Sequence, residues 1–252
     1  MFRPRIIPVL LLQNNSLIKS KRFTDFRYIG DPIHTVKIFN DLQVNELIFL
    51  DINATIEKRC ISIDLIKTIG EEASMPFAVG GGIRTIENIK KIIANGAEKV
   101  IIGSYAAEKP DFIKEASERF GSSAISVCLD VKKNFFGKEY AWTRNGKKST
   151  GITPETFAKL MEENGAGEII IQSIEKDGLM TGYDIDLIKK ISSSVTIPVI
   201  ALGGAGNLSH LKEAYLNGLA SGLAAGSLFV FQGKKHGVLI NYPDKNELKF
   251  DT

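Results

Sequence analysis

Two stretches of this chain carry the same design. Val79-Gly80-Gly81-Gly82-Ile83 is followed by Ile101-Ile102-Gly103-Ser104, and Ala201-Leu202-Gly203-Gly204-Ala205-Gly206 is followed by Ala224-Ala225-Gly226-Ser227. Each half thus has one apolar run ending in glycines and a second ending in Gly-Ser. Repetition at this scale means that one supersecondary arrangement is used twice. Eight short apolar runs lie along the chain, at 6–12, 47–52, 76–79, 100–102, 124–131, 169–174, 198–202 and 222–225. They are too short for helices, and most are rich in Val and Ile, as strands buried on both faces are. Between runs, Ile86, Ile89, Ile92 and Ile93 form a helical stripe, as do Ile185, Leu187, Ile188 and Ile191. Strand and helix alternating in this way predict an α/β fold: a (β/α)8 TIM barrel built from two half-barrels and spanning 1–252 as one domain.

The repeat can be extended to the first strand of each half. Ile7-Pro8-Val9-Leu10-Leu11-Leu12 then lies against Ser126-Val127-Cys128-Leu129-Asp130-Val131, and Leu11 falls opposite Asp130. A carboxylate at a strand end can act as general acid or base; leucine cannot. Asp51 and Asp177 follow other strands, and for all three aspartates a loop-fixing or capping hydrogen bond is the competing role. Asp130 is favoured for chemistry because the long insertion 132–151 follows it. The other long insertion, 13–32, carries Lys19, Lys21, Arg22 and Arg27. In 132–151, Asn145-Gly146 predicts a type I′ hairpin.

The paired glycine-rich ends predict anion sites. Without a Cβ the backbone can approach a ligand and aim N–H groups at phosphate oxygens. Gly81, Gly82, Gly103 and Ser104 would form one cradle, and Gly203, Gly204, Gly226 and Ser227 the other. Together they suggest an elongated small-molecule ligand phosphorylated at both ends. The alternative is that these glycines only permit tight turns.

At the opposite end, Arg5, Glu46, Lys99 and Glu168 stand at or just before the starts of strands one, two, four and six. Their alternating signs predict a ring of ion pairs across the barrel floor, either structural or a gate.

Other classes are disfavoured. The 32 basic and 29 acidic residues are interspersed, for a net charge of +3, which gives no nucleic-acid footprint. Cys60 and Cys128 lack a CxxC partner, so a disulfide framework is not expected, and Cys128 reads as a small core residue. The first apolar run is too short to span a membrane and no small-residue cleavage site follows, so neither secretion nor membrane association is expected; with no disulfide framework, the chain reads as cytoplasmic. His34, His210 and His236 lack ligand spacing; no metal or cofactor is expected.

Taken together, these residues resemble the HisF family, the cyclase subunit of imidazole glycerol phosphate synthase, a barrel of ribulose-phosphate-binding type. The resemblance covers nearly the whole chain. It is carried by Arg5-Ile6-Ile7, Gly30-Asp31-Pro32, Glu46 to Ile52, Val79 to Ile83, Gly165 to Ile169, Asp177-Gly178, Gly182-Tyr183-Asp184 and Gly203 to Gly206. It implies a HisH-like glutaminase that docks on the floor as a heterodimer partner. Ammonia would enter past the ring that Arg5, Glu46, Lys99 and Glu168 match. Asp130 matches one of the family's two catalytic aspartates, and Leu11 replaces the other. Lys19 matches a loop residue near the substrate, but Gln13-Asn14-Asn15-Ser16 departs from the usual acidic, glycine-containing loop. Arg5 to Leu12, Tyr28 to Pro32, and Val238 to Pro243 are most similar to the WbuZ-type HisF paralogues of surface-polysaccharide pathways. That branch implies a third partner, an N-acetyl sugar amidotransferase. The alternatives are an authentic cyclase-lyase of histidine biosynthesis, a phosphosugar isomerase, and a non-enzymatic scaffold.

Overall fold

The eight apolar runs form eight parallel strands that close on themselves. The protein is seen in a computed structural model that describes residues 4–233, 235–244, 247, 248 and 250; the ends of the expected 1–252 span lie outside these. The barrel strands are β1 (Arg5–Gln13), β2 (Leu47–Asp51), β3 (Phe77–Gly80), β4 (Lys99–Ile102), β5 (Ile125–Lys133), β6 (Glu168–Ser173), β7 (Val199–Leu202) and β8 (Gly222–Ala225). Each pairs in parallel with the next, and β8 returns to β1 with Arg5 opposite Gly222 and Pro8 opposite Ala225. Closure leaves the barrel without a free edge.

Alternation along each strand divides the apolar residues into two cores. Those facing outward, such as Leu10, Phe49, Val79, Val127 and Ile169, pack under the helices. Those facing inward, Ile7, Val9, Leu11, Ile48, Ala78, Ile101, Ile170, Ile200, Leu202 and Ala224, form a separate cluster that fills the bore. Both predicted helical stripes are helices, Ile86–Ala94 and Ile185–Ser192. The side chains of Thr85 and Asp184 accept from the backbone N–H groups of Asn88 and Leu187 to cap them.

Both insertions at the carboxyl ends of strands are ordered hairpins. After β1, Ser16–Lys21 and Thr24–Gly30 form an antiparallel pair, and the first of these continues onto β1 with Leu11 opposite Ile18. After β5, Glu139–Thr143 runs back along β5, and Lys148–Ser149 pairs with it in turn. The hairpin at Asn145-Gly146 exists, but it is not the two-residue type I′ turn. Thr143 pairs with Lys148 across a four-residue loop, and Arg144, Asn145 and Gly146 all have positive φ. Asn145 is drawn away from simple turn geometry because its amide donates to the Ile52 carbonyl at 2.7 Å, tying this loop to the one after β2.

Candidate functional site

Inward alternation brings the ends of several strands to one mouth. Its larger cavity, about 120 Å³, is lined by Leu11, Asp130, Gln172 and Ser20 together with Gly81, Gly82, Gly103 and Ser104. A smaller cavity of about 20 Å³ holds Gly203, Gly204, Gly226 and Ser227. Leu11, Ser20 and Gln172 line both, so they form the partition between the two glycine cradles. The cradles share one construction. Gly81, Gly82, Gly203 and Gly204 all have φ between 62° and 134°, where any side chain is strained. Gly103 and Gly226 precede the short helices Ser104–Glu108 and Ser227–Val230, neither of which has a side-chain cap. The sequence repeat is therefore a repeat in space, but its two copies are unequal in volume.

Lys19 accounts for much of that inequality. It is buried at 6% exposure, donates from Nζ to the Val9 carbonyl at 2.5 Å, and presses against Gly226 where a Cβ would collide with it. Burial pulls its pKa down to about 8, against the pull of Asp177. Lys19 thus lines the smaller cavity beside Gly226 and Ser227.

The three aspartates have different surroundings. Asp51 lies at the opposite parity to inward-facing Ile48 and Leu50. Its carboxylate accepts from the backbone of Asn53 and Ala54 at 3.1 Å each and from Arg59 at 2.5 Å, a loop-fixing role. Asp177 lies beyond β6. It accepts from Ser20 Oγ at 2.8 Å, the Phe23 N–H at 3.3 Å and Gln172 Nε2 at 3.3 Å, and so anchors the first hairpin. Asp51 also lines the larger mouth cavity and Asp177 the smaller one, while Asp130 lines the larger at the inward parity of Ser126 and Cys128. The Asp130 carboxylate accepts from the Cys128 thiol at 3.8 Å. Cys128 is thus a bore residue lining the mouth, not a member of the outer core.

Burial, then the nearby Asp177 charge, raise the Asp130 pKa from 3.8 to about 7. The folded state therefore binds this proton more tightly than the unfolded chain, whose aspartates titrate at about 3.9. Stability is lost as pH rises between those values. Asp130→Asn removes that titration. Its melting temperature should gain on the wild type from about pH 4 to about 7 and then hold a constant lead. Parallel melting curves across this range would refute the assignment of a raised pKa to Asp130.

At the floor the predicted ring closes. Arg5 donates to Glu46 at 2.9 Å and to Glu168 at 2.6 Å, while Lys99 approaches Glu168 at 3.1 Å and Glu46 at 3.8 Å. Ser126 Oγ donates to Glu168 at 2.6 Å. Both carboxylates are largely buried, and the neighbouring cations hold the Glu168 pKa below its ordinary value despite desolvation. Lys99 is the more loosely held cation. The ring opens outward onto a cavity of about 270 Å³ shared with Asn45, Pro76, Phe77 and Glu98.

Sequence reasoning missed Ser20, Arg84, Tyr105 and Gln172 at the mouth. Gln172 was readable from parity, because Glu168, Ile170 and Gln172 alternate on one face of β6. Arg84, which lies over the Tyr105 ring at 5.5 Å and 3.7 Å from Glu108, carried no comparable signal.

The profile of the family described as "Histidine biosynthesis protein" matches residues 5–235. A Leptospira interrogans protein provisionally assigned as imidazole glycerol phosphate synthase subunit HisF is 43% identical over 248 residues, covering 98% of each chain. A Leptospira borgpetersenii protein with the same provisional assignment is 45% identical over 245 residues, 97% of this chain and 96% of its own. The imidazole glycerol phosphate synthase subunit HisF of Alkaliphilus metalliredigens is 40% identical over 229 residues, 91% of each chain.

Proposed function

The chain belongs to the histidine biosynthesis protein family, as a homologue of the HisF subunit, and from that premise we propose that it is the ammonia-receiving barrel of a glutamine amidotransferase complex. A HisH-like glutaminase docks on the floor, Arg5, Glu46, Lys99 and Glu168 gate the bore, and ammonia emerges at the mouth. There it serves the amidation of an N-acetyl sugar in surface-polysaccharide biosynthesis, with a sugar amidotransferase as the third component. The complex works in the cytoplasm, and this subunit acts as one domain.

The observation that carries the reading is a closed ring of ion pairs beneath an apolar bore, combined with a mouth that has Asp130 on one side and Leu11 on the other. Ammonia in neutral water is mostly protonated and then has no lone pair to donate. A bore lined by Ile7, Ile48, Ala78, Ile101, Ile170 and Ala224 offers no partner to an ammonium ion, whose burial without one is costly. Neutral ammonia passes at far lower cost. Two cations and two anions leave the ring without net charge, so one side chain can swing aside without stranding a large excess of charge. Lys99, with its longer contacts, is the member that moves.

The glycine cradles, with Lys19 beside the second, retain the means to bind a phosphorylated small molecule. This favours a second reading, an authentic cyclase-lyase of histidine biosynthesis; the Alkaliphilus metalliredigens relative is named imidazole glycerol phosphate synthase subunit HisF. The two readings differ in chemistry at position 11. Loss of one member of an acid–base pair costs about 10²–10⁴-fold in rate. Supplied with the bis-phosphorylated ribulosyl cyclase substrate and ammonium salt at alkaline pH, the purified protein should show little or no turnover. Turnover like that of an ordinary cyclase would overturn the first reading and establish the second.

A further inference from the structure

The turn between β5 and the antiparallel strand Glu139–Thr143 presents two phenylalanines to water. Phe135 is 98% exposed and Phe136 83%, the highest values among the exposed large hydrophobic residues described. The turn holds them firmly. Asn134 Oδ1 accepts from the backbone N–H groups of Phe136 and Lys138 at 2.9 Å each, and the Asn134 N–H donates to the Lys138 carbonyl at 2.8 Å. Gly137, at φ 76°, supplies the left-handed residue and donates to the Asn134 carbonyl at 3.0 Å. The two rings meet edge to face with centroids 5.6 Å apart. A fixed turn thus displays an apolar tip.

The charges around the tip indicate what it meets. Lys132, Lys133 and Lys138 flank the two phenylalanines in sequence, and Lys132 lies over Trp142 at 5.1 Å. The neighbouring carboxylate, Glu139, is engaged by Lys190 at 3.6 Å. A stable protein interface needs about 800 Å² from each partner, much more than two rings on a projecting turn provide. Entry into a bilayer interface needs only the rings, with basic side chains placed at the headgroups.

We infer that this tip docks the barrel, mouth first, on an anionic lipid surface, with Phe135 and Phe136 in the interfacial layer and the three lysines against lipid phosphates. The turn lies beyond Asp130 on β5, at the end opposite the charged floor, so the floor stays open to a soluble partner. The expectation of no membrane association rested on the lack of a spanning segment, and no described helix is long and apolar enough to cross a bilayer. Surface docking is a different mode, and it stands whether or not the barrel passes ammonia.

Co-sedimentation of the full chain with vesicles tests this. Binding is expected to vesicles of equal parts phosphatidylcholine and phosphatidylglycerol, not to phosphatidylcholine alone, and should weaken with salt. Lys133→Gln combined with Lys138→Gln should lower affinity by roughly 25-fold, at about fivefold for each lysine. Phe135→Ser combined with Phe136→Ser should abolish binding while leaving the melting temperature almost unchanged, since both rings are exposed and meet each other at the tip. Three results would overturn the inference: no binding to either vesicle, undiminished binding by the serine variant, or a wild-type dimer in solution that the serine variant dissociates.

Discussion

Leu11→Asp should raise turnover of the bis-phosphorylated ribulosyl substrate with ammonium salt by about 10²–10⁴-fold, the range associated with one member of an acid–base pair. Leu11 sits where such a group would act. It lines the mouth cavity with Asp130 and also forms the wall of the second glycine cradle. Its neighbours are Leu50 across β2 and Ile18 on the first hairpin, so the introduced carboxylate would be poorly solvated. Its pKa should therefore rise, and with Asp130 already raised to about 7 the two groups would titrate as a coupled pair. A bell-shaped rate profile around neutral pH should accompany the gain. Burying the new carboxylate should cost roughly 1–3 kcal/mol of stability, so the melting temperature has to be measured alongside. If a folded variant binds the substrate, as read by calorimetry, and gains no turnover, the mouth has lost more than one carboxylate. The altered segment Gln13 to Ser16 would then be the next place to look, since it forms the turn between β1 and the hairpin carrying Lys19.

Strand positions were legible because doubly buried strands must be continuous apolar runs. The run at 6–12 became Arg5–Gln13 and that at 222–225 became Gly222–Ala225. The floor ring was legible too, since four charges at the starts of apolar strands have few ways to be satisfied other than by one another. The first insertion was harder. Its strand Ser16–Lys21 buries Leu17, Ile18, Lys19 and Ser20 in succession, because the hairpin packs over the mouth and hides residues on both faces. A buried lysine breaks the polar–apolar alternation by which a strand is recognised. The aspartates show how far strand parity alone could have gone. Counting by twos from Arg5 reaches Leu11, and from Ser126 reaches Asp130, both inward. Counting from Glu46 passes Leu50 and leaves Asp51 on the other face, where Arg59 claims it. The position of Asp177 after a strand was legible, but its hairpin partners were not, since Ser20 and Phe23 lie 157 and 154 residues earlier.

Lys99→Glu should uncouple glutamine hydrolysis from product formation while leaving a folded barrel. Arg5 would still bridge Glu46 and Glu168 at 2.9 and 2.6 Å, and Ser126 would still hold Glu168. The Lys99 side chain keeps 21% of its exposure and borders the open floor cavity, so a carboxylate there can turn to water and escape most of the repulsion from the two glutamates. The ring would nevertheless carry three anions and one cation, with the wrong sign facing whatever the glutaminase presents. In a reconstituted complex, product formed per glutamine hydrolysed should fall by about tenfold or more, equivalent to roughly 1.4 kcal/mol or more at the gate. Ammonium salt supplied in solution reaches the mouth without crossing the floor, so turnover driven by it should stay at the wild-type level. That contrast separates a gate from a general loss of structure. Lys99→Met sharpens it by retaining side-chain length while removing charge: restored coupling would assign the defect to the added anion, and persistent loss would assign it to the missing ammonium. Coupling that is unchanged in both variants would leave Arg5, Glu46, Lys99 and Glu168 as a structural clamp that closes the barrel and nothing more.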